Sequence, residues 1–117
     1  MAEEQIFGNV EEAILKEKFS INVNELELSG WSFSSLGNEI LIEIFIDDEK
    51  VGEMKTGFER PDVYELNHTH IVALTSGFIG KIKIEKINDG EHVLKIISKT
   101  NSTEKQLRNE NFKLGDS

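Results

Sequence analysis

The sequence predicts an all-β protein, a sandwich of about seven strands in two antiparallel sheets. Isoleucine occupies every second position of one short stretch, at Ile40, Ile42, Ile44 and Ile46. Because successive side chains of a strand point to opposite faces, this spacing places four β-branched residues on one face of a core strand. Turn residues recur at short intervals and no convincing helix separates them, which favours packed antiparallel sheets over a parallel α/β fold.

The isoleucine strand is predicted to form a hairpin, with a turn at residues 47–50 and a return strand at 51–56. Upstream, one strand is expected at Phe19 to Val23 and the next around residues 26–28. Trp31 and Phe33 then fall on the opposite parity, so Gly30 is interpreted as a β-bulge that re-aims the following side chains. Residues 34–38 are predicted to turn.

Downstream, residues 77–87 alternate with an apolar set facing inward, at Phe78, Gly80, Ile82 and Ile84. The sequence Asn-Asp-Gly-Glu at 88–91 is predicted to form a hairpin turn, with residues 92–99 as the partner strand, covered on both faces. A turn at 100–103 leads to a last strand at 104–114, anchored by Phe112 and Leu114.

The N-terminal segment, residues 1–18, is predicted to be an extension that is partly flexible and forms either a short helix or an edge strand. Residues 19–117 are predicted to be the sandwich itself. A chain of 117 residues suits one domain with one core.

Composition restricts the function. Thirteen basic residues against 22 acidic ones give a formal charge of −9, which repels nucleic acid and anionic lipid. No apolar run approaches the ~20 residues of a membrane-spanning helix, and the acidic N-terminus is no secretory signal. There is no cysteine, which excludes disulfides and thiolate chemistry. Both the cytoplasmic face and the cell surface fit this composition.

The stretch from Phe58 to Ser76 has no clear period and carries the candidate ligand-binding residues. His68 and His70 would share one face of a strand, where two imidazoles could hold a zinc or copper ion; the alternative is a pair of exposed loop histidines. Arg60, beside Asp62, would either grip a carboxylate or sugar hydroxyl or pin the loop through internal hydrogen bonds. Tyr64, the only tyrosine, completes the set.

Two further observations concern function. Trp31, the only tryptophan, would be either a core residue or an exposed platform for a sugar ring. The sequence contains no Gly-x-Ser-x-Gly, phosphate-binding glycine loop or His-Glu-x-x-His. We therefore expect a protein without enzymatic activity and without a cofactor.

Several segments together resemble an immunoglobulin-like β-sandwich module of bacterial and archaeal proteins, often attached to glycosyltransferases, methyltransferases and other envelope-polysaccharide proteins. The resemblance runs from Leu26 to Ile97 and rests on Ser29-Gly30-Trp31, Ile44-Phe45-Ile46-Asp47, Val51-Gly52-Glu53, Thr56-Gly57-Phe58-Glu59-Arg60-Pro61-Asp62-Val63, Ser76-Gly77-Phe78 and Asp89-Gly90-Glu91-His92. It differs at Asp47-Asp48, where the module tends to have Asp-Gly, and at His68-Thr69-His70, where an aromatic-proline pair is common.

The resemblance implies an immunoglobulin-like sandwich with a non-catalytic accessory role, without catalytic residues to carry over. It implies carbohydrate recognition through a sheet face or the 58–76 loop, with a glycan or a neighbouring domain as partner. The candidate ligand-binding residues are Arg60, Asp62, Tyr64, His68 and His70. The alternative is a structural or protein-interaction module, a homodimer included, that uses an edge strand and an apolar patch at residues 104–114 or at the N-terminal segment.

Overall fold

A computed structural model of the chain describes residues 3–18, 23–85 and 88–114. It confirms the all-β sandwich, with seven strands in two antiparallel sheets. The strands are β1 (Ile6–Lys18), β2 (Val23–Ser34), β3 (Leu41–Ile46), β4 (Glu49–Lys55), β5 (Gly77–Glu85), β6 (Gly90–Lys99) and β7 (Glu104–Leu114). Between β4 and β5 lie a short helix, α1 (Pro61–Leu66), and a 3-10 helix (Ile71–Thr75).

The strand order is that of an immunoglobulin-like fold. Sheet A has the order β1-β2-β5, and sheet B has the order β4-β3-β6-β7. In the strand letters used for immunoglobulin domains, β1 to β7 are strands A, B, C, C′, E, F and G. Sheet A then consists of strands A, B and E, and it faces sheet B, which consists of strands C′, C, F and G. The helical segment between β4 and β5 occupies the chain position where many immunoglobulin-like domains have a further strand.

The main core lies between the sheets. The four alternating isoleucines, three in β3 and Ile40 just before it, are all at most 4 % exposed, as predicted from their spacing. From sheet A they meet Leu26, Leu28 and Phe78, each at most 2 % exposed. Buried apolar side chains from both sheets thus form one cluster, and the parity predicted for β5 is confirmed by the buried Phe78 and Ile84.

The N-terminal segment forms an edge strand and not a short helix. β1 pairs with β2 along its whole length, and Ile6 and Val10 belong to the main core. The strand predicted at Phe19 to Val23 falls largely outside the described residues, and Val23 is the first residue of β2.

The β-bulge predicted at Gly30 was placed in the wrong strand. The β2–β5 register is continuous, whereas the β1–β2 register shifts between Val10 and Glu12, opposite Gly30. The extra residue is therefore Glu11, on β1. A Cβ at Gly30 would collide with the carbonyl oxygen of Asn9 and lie 2.7 Å from Cζ of Phe78. Gly30 is required by this close approach rather than by a bulge of its own.

Trp31 and Phe33 change parity because a second apolar cluster lies on the outer face of sheet A. Phe33 is 2 % exposed and packs with Val63 of α1 and Ala73 of the 3-10 helix. Half-buried apolar neighbours complete the cluster, namely Phe7, Trp31, Tyr64 and Val72. The outer face of sheet A is thus apolar at this end, where the helical segment covers it, while buried serines, Ser32 and Ser34, alternate with these residues on the inner face.

The hairpin predicted at residues 88–91 is wrong. β5 belongs to sheet A, while β6 pairs with β3 and β7 in sheet B, so the Asp-Gly sequence lies in a connection between sheets. The expectation that β6 is covered on both faces is also wrong. Leu94 and Ile96 are buried, but Val93 is 38 % exposed. One face of β6 is in the core and the other faces outward.

The predicted β3–β4 turn and the predicted anchor at the end of β7 are confirmed. The β3–β4 turn contains Asp47 and Asp48, both with positive φ, at 53° and 68°, the geometry of a tight hairpin turn. α1 begins at Pro61, where the missing N–H has no effect. Leu114 anchors β7 at 8 % exposure. Within residues 3–18, 23–85 and 88–114, no helix has the length and apolar character that crossing a membrane requires.

Candidate functional site

Arg60 is held by partners from within the chain. Its Nη1 and Nη2 donate to the two carboxylate oxygens of Glu11, at 2.7 and 2.9 Å. Its Nε and Nη2 donate to the two oxygens of Asp62, at 3.0 and 2.8 Å. Nη1 also contacts the carbonyl oxygen of Gly30 at 3.5 Å. A guanidinium has five N–H donors, and all five have an acceptor here.

This saturated arrangement favours the structural interpretation of Arg60. Hydrogen bonds from Arg60 lower the pKa of Asp62 to about 2, and those from Asp62 and Glu11 raise the pKa of Arg60. Both groups stay charged across the physiological range. Arg60 joins the start of α1 to the bulge residue Glu11. A ligand of Arg60 would therefore have to displace Glu11 or Asp62.

The other predicted site residues lie in the same helical segment but do not converge. Residues 67–70 form a turn closed by a 2.8 Å bond from the His70 N–H to the Asn67 carbonyl, so the premise of a strand bearing His68 and His70 on one face is wrong. His68 is exposed, whereas the His70 ring packs near Phe33, with centroids 5.5 Å apart. Tyr64 packs against the outer cluster.

Trp31 lies against the same cluster rather than in the main core. Its ring stacks on Phe33, with centroids 5.8 Å apart and an interplanar angle of 23°, and it is half-buried. One face of the indole is therefore used by an internal contact, and Trp31 is part of the packing on the outer face of sheet A.

A groove lies at one end of sheet B, on its outer face. Its volume is about 380 Å³, and its lining residues are Asn38, Glu39, Ile40, Leu41, Glu53, Lys55, Lys99, Thr100 and Asn101. Leu41 is directly opposite Lys55 on β4 and Lys99 on β6, so these three side chains share the outer face of the sheet. We call this feature the sheet B groove.

The charges in the sheet B groove balance, with two carboxylates and two ammonium groups in its lining. Lys99 also lies 3.1 Å from Glu43, a carboxylate at 7 % exposure that Lys50 contacts at 2.8 Å. The hydrogen bond from Lys50 is the main reason that the pKa of Glu43 is lowered. The groove therefore combines hydrogen-bonding groups of both polarities with an apolar residue, Leu41.

Two walls of the sheet B groove are connected through Glu4, a residue that no sequence motif singles out. Its carboxylate accepts hydrogen bonds from Asn38 Nδ2, at 2.6 Å, and Thr100 Oγ1, at 2.7 Å. It also accepts from the hydroxyls of Ser34 and Ser102. These four bonds, with that of Ser102 first, lower the pKa of Glu4 to about 2.

A second, apolar cleft opens between the edges β1 and β7. It has a volume of about 330 Å³ and is lined by Ala13, Ile14, Leu15, Leu26, Ile46, Leu94, Glu110, Phe112, Lys113 and Leu114. Ile14 is 43 % exposed. Arg108 on β7 donates to the carbonyl oxygen of Val10 on β1, at 3.0 Å. The two sheets are thus bridged by a side chain at a side where no strand pairing joins them.

The candidate residues predicted from the sequence thus lie at the outer face of sheet A, and none of them lines the sheet B groove. Its residues come from a loop, three strands and a turn, and no local motif links them. Among the described residues, no group of three or more histidine, aspartate and glutamate side chains is placed to hold a metal ion. Comparison of the chain with protein-family models, curated proteins and solved structures finds no match.

Proposed function

We propose that this chain is a non-catalytic recognition module that binds carbohydrate in the sheet B groove. The observation that carries the proposal is the groove itself, about 380 Å³ in volume, within the range of small-molecule sites. Its amide, carboxylate and ammonium groups suit the paired donor and acceptor character of sugar hydroxyls. Leu41 offers an apolar surface to the C–H face of a sugar ring.

Of the two predicted locations, a sheet face and the 58–76 loop, the proposal takes the sheet face. In the loop, the five donors of Arg60 are already used and the Trp31 ring is stacked on Phe33. The groove residues Lys55 and Asn101 are exposed. The resemblance to modules of envelope-polysaccharide proteins suggests that the ligand is an envelope glycan.

The test is a glycan array followed by titration of the best ligand. Asn101→Ala is expected to abolish binding, because it removes an exposed amide of the groove wall. Asn109→Ala is the matched control, since Asn109 is an exposed amide on β7 outside the groove. Both variants should keep the wild-type melting temperature. A chain that binds no envelope polysaccharide contradicts the proposal, and loss of binding in Tyr64→Ala but not in Asn101→Ala would return the site to the loop.

A second candidate function is self-association through an edge strand. The apolar cleft lies between β1 and β7, the two regions where the interaction hypothesis expects an apolar patch. A second copy could pair β7 with β7 about a two-fold axis, which places the same strand on both sides of the interface. Sedimentation should then show a mass that rises with concentration and falls in Ile14→Glu. A constant monomer mass would eliminate this candidate.

A further inference from the structure

The carboxylate of Glu4 is fully occupied by donors from three separate segments. One oxygen accepts from Thr100 and Ser102, at 2.7 and 2.6 Å. The other accepts from Asn38, at 2.6 Å, and from the hydroxyl of Ser34. A carboxylate has about four lone-pair sites, so each position has a partner. The donors come from the end of β2, the β2–β3 loop and the β6–β7 turn.

These bonds also determine the proton arrangement of the β6–β7 turn. The Thr100 hydroxyl gives its only proton to Glu4, which leaves its lone pairs for the backbone N–H groups of Ser102, at 3.3 Å, and Thr103, at 3.2 Å. The turn is closed by a 2.9 Å bond from the Thr100 N–H to the Thr103 carbonyl, and the Thr100 hydroxyl, which Glu4 orients, accepts the two further N–H groups. Asn101 lies between Thr100 and Ser102, both bound to the same oxygen of Glu4.

We infer that Glu4 is a positioning residue of the sheet B groove: its carboxylate fixes the two amides of the groove wall, Asn38 directly and Asn101 through the turn. The expected effect of Glu4 on ligand binding rests on the proposed function. Its effect on the structure of the turn rests on the hydrogen-bond network alone. Because the carboxylate is an acceptor only, each of its four partners must donate, which sets the rotamer of the Asn38 amide and the direction of three hydroxyls.

The structural consequence is measured by hydrogen exchange of individual backbone amides. Glu4→Gln replaces one acceptor oxygen with a donor NH₂, which opposes the donors around it, and Glu4→Ala removes all four bonds. In both variants the amides of Ser102 and Thr103 are expected to exchange about tenfold faster. The matched control is Glu3→Gln, which makes the same charge change at an exposed neighbour. Unchanged exchange at Ser102 and Thr103 in both variants overturns the inference.

The binding consequence is measured separately, by titration of the glycan selected on the array. Glu4→Gln should weaken binding about tenfold, mainly through faster dissociation, while Glu3→Gln should not change it. If the wild-type chain binds no glycan, the proposed function fails, and the exchange experiment still decides the structural role of Glu4. If exchange rises and affinity does not change, the positioning role in the groove is overturned. Ser102→Ala, which removes one donor only, covers the case in which the Glu4 variants fold poorly.

Discussion

The outer faces of the two sheets differ in how the chain uses them. On sheet A, the helical segment between β4 and β5 covers the sheet with a second apolar cluster around Phe33, and Arg60 beside it has a partner for each N–H group. On sheet B, no helix covers the outer face in the described residues, charged side chains such as Lys95 and Lys99 lie there beside apolar ones such as Phe45, and the groove remains open. The α-helix and the 3-10 helix of the described residues both pack on sheet A.

The proposed site in the sheet B groove would make unusual residues a poor guide to ligand binding in this fold. The Arg-Pro-Asp sequence, the only tyrosine and the His-Thr-His pair all lie in the segment that covers sheet A. Such a segment needs residues that cap a helix, fill an outer core and satisfy a bulged strand. A sheet face that binds a ligand needs only common polar residues around a depression, and these are common on any strand.

The largest expected effect is a difference between two phenylalanines, one on each outer face. Phe33→Ala on sheet A should lower the free energy of unfolding by ~3–4 kcal/mol, because the ring is 2 % exposed and its loss leaves a cavity. Phe45→Ala on sheet B should cost only ~1 kcal/mol, because its ring is half-buried and its partner Lys95 lies 5.6 Å from the centroid. Urea denaturation of both variants measures the difference. Equal costs would show that sheet A is not packed on its outer side.

A smaller difference is expected between two cations. Arg60→Ala should lower the free energy of unfolding by ~1–2 kcal/mol, since it leaves Glu11 and Asp62 without their bidentate partner. Lys95→Ala on sheet B should change it by less than ~0.5 kcal/mol, because its partner Asp48 is 90 % exposed. If Arg60→Ala lowers the free energy of unfolding as little as Lys95→Ala but reduces glycan binding, Arg60 is a ligand contact. The binding site would then lie on the outer face of sheet A and not on that of sheet B.

The sequence was sufficient for local structure where the pattern is local. Period-two isoleucines predict β3 and its burial, and two adjacent acidic residues that tolerate positive φ mark the β3–β4 turn. The parity of β5 is likewise set by its own residues. These features depend on a few neighbouring side chains, so a single segment contains the information.

The rest depends on contacts between distant segments. An Asp-Gly pair signals a turn, but it does not specify whether the next strand joins the same sheet, and here β6 joins the other one. Trp31 and Phe33 change parity because α1 and the 3-10 helix cover them, 30 or more residues later in the chain. The Glu11–Arg60 pair and the Glu4 network likewise join groups whose proximity only the fold creates.

The smallest expected effect is a pH dependence that should belong to sheet B alone. His92 of β6 has both ring nitrogens beside acceptors, Asp47 Oδ2 at 2.5 Å and the Asn88 carbonyl at 2.6 Å. Only the doubly protonated ring can donate to both acceptors at once, and the bond to Asp47 is the first reason that the pKa of His92 is raised above its ordinary value of 6.5. A raised pKa in the folded state gives stability that is complete below pH 6.5 and is lost as pH rises through the folded value.

The melting temperature should accordingly fall as pH rises above 6.5 and through the raised pKa of His92. On sheet A, Arg60 and Asp62 keep their charges throughout this range, because their pKa values are displaced away from it. His92→Gln should remove the pH dependence, whereas His68→Gln, at an exposed histidine, should leave it intact. If the melting temperature of His92→Gln still falls as pH rises, the titrating group is not His92. If nuclear magnetic resonance then placed the pH-dependent shifts on α1 rather than on the β3–β4 turn, the titrating group would lie on the covered face.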